Sequence, residues 1–551
     1  MKKIIFILGL AAVVLGTSCS DVLDLNPADR FSPATVWSTT TTADKYVIGL
    51  YSIFGANTEM RGGDAYASPR LSDAYSDILK STSWNQYNHN FNATLLQETA
   101  FNSNSAGAFE CWSSHYDRIR RENEFLRDAA EFGSKFGEDW LKIRIAEVRF
   151  CRAYAYFMLC RVYGGVILRT EVDGPEQNDK ARSTEEECWG FIINELKELA
   201  PDLPLKWDSD NSGRATQKAA YGLLSRVALY AEKWDVAAQA ARDCATAEGN
   251  LDLSENGYAK IFELGINSPE VLFAVEFKSS VIDHAYDAYV RPSGDTKELG
   301  KQVYSGFVPT SELVDSYEMA GDGGNFSWEK YGKDPYANRE PRFYATILYN
   351  GADWMGRKIE SFVGGKDGYK AYENAGAAGT TVTGYYLRKY LIDGDKTWVT
   401  SGSGQDWIVL RYAEVLLNKA EALAMENWNK NSAEALQALN DVRARVGLPA
   451  RATADKETFL EYVRHERKVE LAGEGFRYWD LRRWRLAEKV IDGQNVHGVK
   501  ISKQSDGSFT YEQVDADGGH KRIFYDRYYR FAIPLSERSN NSLCTNNDGW
   551  I

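Results

Sequence analysis

The chain has too few basic residues for a nucleic-acid binder. Its 65 Lys and Arg face 78 Asp and Glu, giving a net charge of −13 and a pI near 5.2. Nucleic-acid affinity is dominated by basic contacts to phosphate, so that class is set aside. The acidity suits a soluble surface protein. Cysteine is sparse, with seven in 551 residues, and no CxxC pair occurs. Beyond Cys19 the cysteines are Cys111, Cys151, Cys160, Cys188, Cys244 and Cys544. No His/Cys cluster has zinc spacing. Cys151 and Cys160 fall on one predicted helix, about 13–14 Å apart by helical rise, too far to bridge. Most of the six read as small buried hydrophobes. After residue 15 no apolar run approaches the roughly 20 residues that a spanning helix needs. No GxSxG nucleophile elbow, Walker loop or dinucleotide fingerprint appears.

Two partial motifs fail on inspection. His465-Glu466 begins like a zinc-protease signature, but position 469, where the second histidine must stand, is Val469. The segment reads instead as a charged helix, with Glu466 and Glu470 one turn apart beside Arg467. Asp515 and Asp517 resemble part of a calcium loop, but Gly519 stands where a third ligand is needed. No cofactor is implied, and a bound Ca2+ elsewhere stays open. Paired carboxylates for glycoside hydrolysis are a spatial matter of roughly 5–9 Å, and 78 acidic residues make chance pairs expected. The basic, aromatic run from Arg477 to Arg485 reads as arginines paired with carboxylates while Trp479 and Trp484 pack.

What is present begins at the N-terminus. Lys2 and Lys3 precede an apolar run from Ile4 to Leu15, then Gly16, Thr17, Ser18 and Cys19. A basic start, a short apolar stretch and small residues before a cut are the layout of an export signal. The cysteine just after them suggests lipoprotein processing, with cleavage before Cys19 and acylation there. Two or more acyl chains anchor stably. Ordinary secretion with an incidental Cys19 is the alternative. Ser20, Asp21 and Asp24 would keep the stretch next to the lipid solvated.

The remaining chain exceeds the roughly 250–300 residues at which single cores stop growing. It is either a few domains or one elongated helical array. Helical periodicity predicts helices over 41–56, 108–132, 137–164, 184–200, 216–231, 234–248, 407–426, 432–446 and 455–473. In 216–231 and 234–248, a large residue, a small one and a short turn precede alanines at Ala237 and Ala241. That is the packing of a tetratricopeptide helix pair, and 407–426 with 432–446 repeats it. Between these units, 57–107 and 250–405 are rich in Gly, Asn, Ser and Tyr. Val271–Phe277, Arg342–Leu348 and Gly384–Leu391 read as short strands. Long irregular stretches are usually functional or disordered, and the 13% aromatic content argues against disorder.

Several segments carry a resemblance in order along the chain. They are Arg149-Phe150-Cys151-Arg152-Ala153-Tyr154 leading to Tyr163-Gly164-Gly165, and Leu224-Ser225-Arg226 through Tyr230 before Trp234. Leu410-Arg411-Tyr412-Ala413-Glu414 and Leu439-Asn440-Asp441-Val442-Arg443 follow. Then come His465-Glu466-Arg467, Glu474-Gly475-Phe476-Arg477-Tyr478-Trp479-Asp480 and the tail Asn546-Asn547-Asp548-Gly549-Trp550. In this order they resemble the SusD/RagB family of Bacteroidetes outer-membrane lipoproteins. Val166-Ile167 and Arg538-Ser539 depart from its usual pattern.

The resemblance implies a mainly α fold: a tetratricopeptide-like scaffold with long irregular insertions and a few short strands. It implies a signal peptide over 1–18 and one unit over 19–551. That unit divides into an N-terminal part (19–250), an irregular ligand-binding insertion (251–406) and a C-terminal helical part and tail (407–551). It further implies a non-enzymatic, cell-surface glycan-binding lipoprotein, lipidated at Cys19 and held on the outer membrane. Such a protein would pass oligosaccharide to a SusC-like TonB-dependent transporter. Peptide or another nutrient as cargo, a purely protein-binding adaptor and an exported glycosidase are the alternatives.

Sugar rings present an apolar face to Trp or Tyr and hydroxyls to polar and charged groups. The segment Ser83-Trp84-Asn85-Gln86-Tyr87-Asn88 offers both chemistries, so Trp84, Tyr87 and Asn88 are ligand candidates. Asp64, Arg70 and Asp73 would add hydrogen bonds. Tyr286, Tyr289 and Arg291 form a second set, and Trp328, Tyr331 and Trp354 a third. For these last two sets, burial in the core or contact with a partner is the plainer reading.

Overall fold

The computed structural model describes residues 32–56, 71–82, 101–174, 179–372 and 380–550. Several of its helices begin where polar caps stand. Thr39 and Thr42 form a capping box at α1 (Thr40–Leu50). Two long helices follow, α2 (Trp112–Phe132) and α3 (Glu138–Tyr163). Thr184 and Glu187 box α4 (Glu185–Leu199), and Thr216 caps α5 (Gln217–Tyr230). A turn over 231–233 leads to α6 (Trp234–Thr246). Later come α7 (Tyr412–Arg445), α8 (Lys456–Glu470) capped by Asp455, and α9 (Arg477–Arg483). Such caps satisfy amide groups that the first helical turn leaves unpaired.

Helix α3 runs through the interior, packed by α1, α2 and α4, and is buried nearly all round from Arg144 to Tyr163. It stops at Gly164, whose φ of +75° excludes most side chains. A Cβ there would also meet Arg530 at 2.6 Å. The α5–α6 hairpin packs on α4 and on α7, although more than 150 residues separate it from α7 in sequence. The two helices expected over 407–426 and 432–446 form α7, broken at Asn427 (φ −164°, ψ 93°). The Asn427 side chain accepts from Lys430 N and restarts the helix.

The helix expected from residue 407 begins at Tyr412. Residues 407–411 are strand instead, because Trp407-Ile408-Val409 is an aromatic and β-branched run with a partner strand to pair. The strands are β1 (Leu79–Ser81), β2 (Val271–Val275), β3 (Phe307–Pro309), β4 (Ile347–Leu348), β5 (Asp353–Trp354), β6 (Arg357–Lys358), β7 (Tyr386–Leu387), β8 (Trp407–Arg411), β9 (His497–Lys503) and β10 (Phe509–Asp515). They form two-stranded antiparallel ribbons: β1–β3, β2–β8, β4–β7, β5–β6 and β9–β10. Of the strand expected over 342–348, only β4 is extended, since Pro341 opens a helical turn over Pro341–Thr346. Of Gly384–Leu391, only β7 is.

The ribbons tie segments far apart in sequence. Strand β1 joins 79–81 to 307–309, and β8 joins 407–411 to 271–275. A web of buried ion pairs reinforces this. Arg411 donates to Glu270 (2.9 Å), Glu470 (2.6 Å) and Glu474 (2.7 Å). Arg342 holds Glu340 and Glu466 at 2.6 and 2.5 Å. The charged helix read from His465-Glu466 is therefore an inward-facing structural element. No helix among the described residues is long and apolar enough to cross a membrane.

Candidate functional site

Beyond β2 the chain makes a tight turn: Lys278 N donates to the Ile282 carbonyl, and Ser280, at φ +65°, donates to the Ser401 carbonyl. Residues from the segments 277–279, 390–397 and 403–405, with Asp287, line a cleft of about 580 Å³. Its apolar surface is Phe277, Tyr390 and Ile392. Tyr390 is held at φ +67°, a strained conformation for an aromatic residue. Its ring stacks on Trp407 at 4.6 Å and meets Phe262 edge-on at 4.9 Å. Val281 and Ile282, at the tip of the turn, are 68% and 56% exposed.

The polar surface is Lys278, Ser279, Asp287, Asp395, Thr397 and Gln405. Asp395 Oδ1 accepts from Thr397 N (2.8 Å) and Oγ1 (2.7 Å), which fixes the carboxylate on the wall. Ser279 Oγ donates to the Gly402 carbonyl at 3.1 Å, and the Gln405 amide is anchored on the Phe262 carbonyl. Behind Phe277, His284 is oriented by both nitrogens: Nε2 donates to the Gln405 carbonyl (2.8 Å) and Nδ1 accepts from Tyr286 N (3.2 Å). Burial lowers its pKa, so it is a neutral strut. Phe277 and Tyr390 are 8% and 2% exposed, so they floor the cleft, and the fixed hydrogen-bonding groups around them with Ile392 are what a polyhydroxylated ligand would meet.

Several residues singled out from sequence sit behind this wall and not on it. Arg291 is fully buried. It donates to Asp287 Oδ1 (2.9 Å) and to the carbonyls of Ile392 (3.3 Å) and Asp395 (3.2 Å), and lies against Trp354 and Trp398. Trp354 is buried, with Nε1 donating to Asp295 Oδ2 at 3.0 Å. Tyr286 is buried and donates its hydroxyl to the Lys389 carbonyl at 3.0 Å. Tyr289 is buried against Tyr304 in a small cluster with Val303 and Trp398. These four side chains shape the cleft from inside and present no surface to a ligand.

Asp73 is also internal. Its oxygens accept from the backbone N–H of Gly473 (2.9 Å), Gly475 (3.1 Å) and Arg477 (2.9 Å), clamping the turn into α9. Burial raises its pKa to about 6 against those hydrogen bonds.

Trp328 and Tyr331 are half-buried and do come together. Both rings contact Phe326, and Trp328 also meets Tyr511 of β10 at 5.9 Å. Trp328 Nε1 donates to Asp315 Oδ2 at 2.9 Å, which sets the ring plane. Burial raises the Asp315 pKa to about 6. Trp84, Tyr87, Asn88, Asp64, Arg70 and Cys19 lie outside the described residues. The sequence reading missed Phe277, Tyr390, Asp395, Gln405 and Tyr511. The Asp393-Gly394-Asp395 and Gly402-Ser403-Gly404 turn signals mark two of the cleft walls.

The calcium-like pair is occupied by protein groups. Asp517 binds Lys80 Nζ (2.6 Å) and Arg522 Nε (2.8 Å), and Asp515 accepts from the N–H of Asp517 and Gly519. A cation of the chain thus stands where the metal would. The six described cysteines are free and buried.

Residues 269–550 match the model of the SusD family. The chain belongs to the SusD family. Residues 21–229 match a second model, described as starch-binding associating with outer membrane. A SusD-like protein of Bacteroides ovatus is 25% identical over 547 residues, covering 94% of this chain and 90% of that one. Among solved structures, a SusD-like protein from Bacteroides fragilis is 27% identical with a TM-score of 0.79, covering 93% of this chain and 98% of that one. A SusD-like carbohydrate binding protein from the same species is 24% identical with a TM-score of 0.76, covering 92% and 99%. The mainly α SusD fold expected from the sequence is the fold found.

Proposed function

We propose that this SusD family member is a cell-surface glycan-binding lipoprotein. It captures oligosaccharide without chemistry and passes it to a SusC-like TonB-dependent outer-membrane transporter, tethered by acyl chains on Cys19. The observation that carries the reading is the cleft of Phe277, Tyr390, Asp395 and Gln405, on a scaffold shared over nearly its whole length with a carbohydrate binding protein. A second matching model, described as starch-binding and associating with outer membrane, points the same way. The half-buried Trp328 and Tyr331 are a second contact surface, and the segment with Trp84, Tyr87 and Asn88 keeps its candidacy from sequence. Shallow ring stacking with a few hydrogen bonds gives modest affinity and leaves selectivity to cleft shape.

The test is calorimetry and affinity electrophoresis against a glycan panel. Wild type is compared with Asp395→Ala, Gln405→Ala, Trp84→Ala and Trp328→Ala. Weakened binding of the cognate glycan in the cleft variants is expected. Undiminished binding in all four variants would reject the site. Binding to peptides alone would move the cargo to another class, and co-purification of a barrel transporter with no ligand binding would leave an adaptor.

A further inference from the structure

Arginine is charged at neutral pH, so a buried guanidinium calls for an anion beside it. Around α9 most arginines have one. Arg467 and Arg483 share Asp480, Arg483 also holds Glu421, and Arg530 holds Glu185. Arg482 has no carboxylate partner among the described residues. It is 5% exposed, and its hydrogen bond is from Nη2 to the Tyr529 carbonyl at 2.8 Å. Its Nε and Nη1 are buried without a partner. Burial, with repulsion from Arg530 and Arg161, brings its pKa down to about 10.

Arg161, in the last turn of α3, is half-buried and likewise has no carboxylate partner among the described residues. Its guanidinium lies 4.0 Å from the centre of the Trp479 ring, and that of Arg482 lies 4.7 Å from the same ring. Arg161 Nε, Trp479 Nε1 and the hydroxyl of Tyr478 are also buried and unpartnered. The nearby carboxylate of Glu110 is engaged by the Tyr163 hydroxyl and Trp112 N. Two fixed positive charges and a set of idle donors therefore gather around one indole. Arg482 also faces the Phe531 ring at 4.7 Å and the Tyr478 ring at 5.5 Å. Such contacts contribute about 2 kcal/mol when desolvated, but they leave the charge without a counter-ion and give Nε and Nη1 no acceptor.

We infer that Arg161, Arg482 and Trp479 form a second binding site, for an oxyanion: free sulfate or phosphate, or the acidic group of a larger ligand. None of the three lines the cleft of Phe277 and Tyr390, so the site is separate from the proposed glycan surface.

The test titrates purified protein with sodium sulfate and sodium phosphate at constant ionic strength, chloride making up the difference. Melting temperature and calorimetry are followed. Saturable stabilisation of the wild type is expected, with binding about tenfold or more weaker in Arg161→Gln, the loss typical of a charged hydrogen bond. Arg482→Met should lose the response too, and without anion should melt no lower than wild type, because an unpaired buried charge has gone. Selenate soaked into crystals should give an anomalous peak within hydrogen-bond reach of both arginines. Parallel titrations with a sulfated and a uronic disaccharide locate the source. Tighter binding than the inorganic ion supports the acidic group of a larger ligand, and equal or weaker binding supports the free ion. No saturable response to any probe, or an unchanged response in both variants, would overturn the site.

Discussion

Glu122 offers the clearest quantitative test of the fold. It lies on α2 against α3, fully buried, and neither carboxylate oxygen has a hydrogen-bond partner. The neighbouring arginines are turned elsewhere. Arg152 donates to Asn123 and Glu195, and Arg118 to the Ser114 carbonyl. Burial therefore dominates and raises the Glu122 pKa from 4.5 to about 8, with Arg152 and Arg118 opposing weakly. The folded state holds this proton more tightly than the unfolded chain does. Stability must then fall as pH rises from about 4.5 to about 8 and level off beyond. At about 1.4 kcal/mol per pH unit, the full span is on the order of 4–5 kcal/mol. Glu122→Gln removes the titration while keeping size and polarity. Urea denaturation of both proteins at pH 5, 7 and 9 should show the variant gaining on wild type at each step. By the entropy of unfolding per residue, the gain at pH 9 corresponds to a melting rise of about 4 °C. Parallel curves across that range would refute the reasoning and mean that Glu122 is ionised and paired in the fold.

Other outcomes follow from the same structure. Asp73→Ala leaves three backbone donors at Gly473, Gly475 and Arg477 unpaired. At about 1–3 kcal/mol each, urea unfolding should show a loss of about 3 kcal/mol or more, and a loss below about 1 kcal/mol would contradict the clamp. The hydrogen bond that His497 Nδ1 donates to the Glu312 carboxylate raises the His497 pKa above 6.5, so the pair helps the fold below that value and loses its contribution as pH rises through the raised pKa. An NMR titration should find His497 shifted upward in wild type and back near 6.5 in Glu312→Gln. The six buried thiols, whose pKa burial raises at Cys111, Cys151 and Cys244, should resist a thiol reagent until the protein unfolds; rapid native labelling of all six would contradict their burial. Cys19→Ala should leave folding and glycan affinity intact but release the protein from the membrane fraction in cells lacking the transporter.

The local signals in the sequence were reliable where a helix has its own punctuation. Thr184 with Glu187, Thr216, Asp455 and Gly164 mark ends that the structure keeps. Residues 407–411 went to strand because β2 was available to pair with them, a contact spanning more than 130 residues that no local window contains. The aromatic candidates divide in the same way. Tyr286, Tyr289, Arg291 and Trp354 have the residue types of a sugar site, yet each is taken up by a carbonyl, a carboxylate or another ring in the interior. Trp328 and Tyr331 keep partly open faces. Tyr390 reads in sequence as one tyrosine among 32, and its backbone strain and place in the cleft exist only once Trp407 and Phe262 are packed beneath it.

The sequence by itself determined the SusD family, the helical scaffold and the absence of any familiar catalytic motif. Caps, periodicity and ordered motifs are properties of neighbouring residues, and they survive without knowledge of the fold. Tertiary structure alone decided which charges are neutralised and which rings stay open. Arg483 and Arg482 are adjacent in the chain, yet one holds two carboxylates and the other none. One helical step turns a side chain by about 100°, so adjacent residues face different surroundings, and only the packed elements settle which is satisfied.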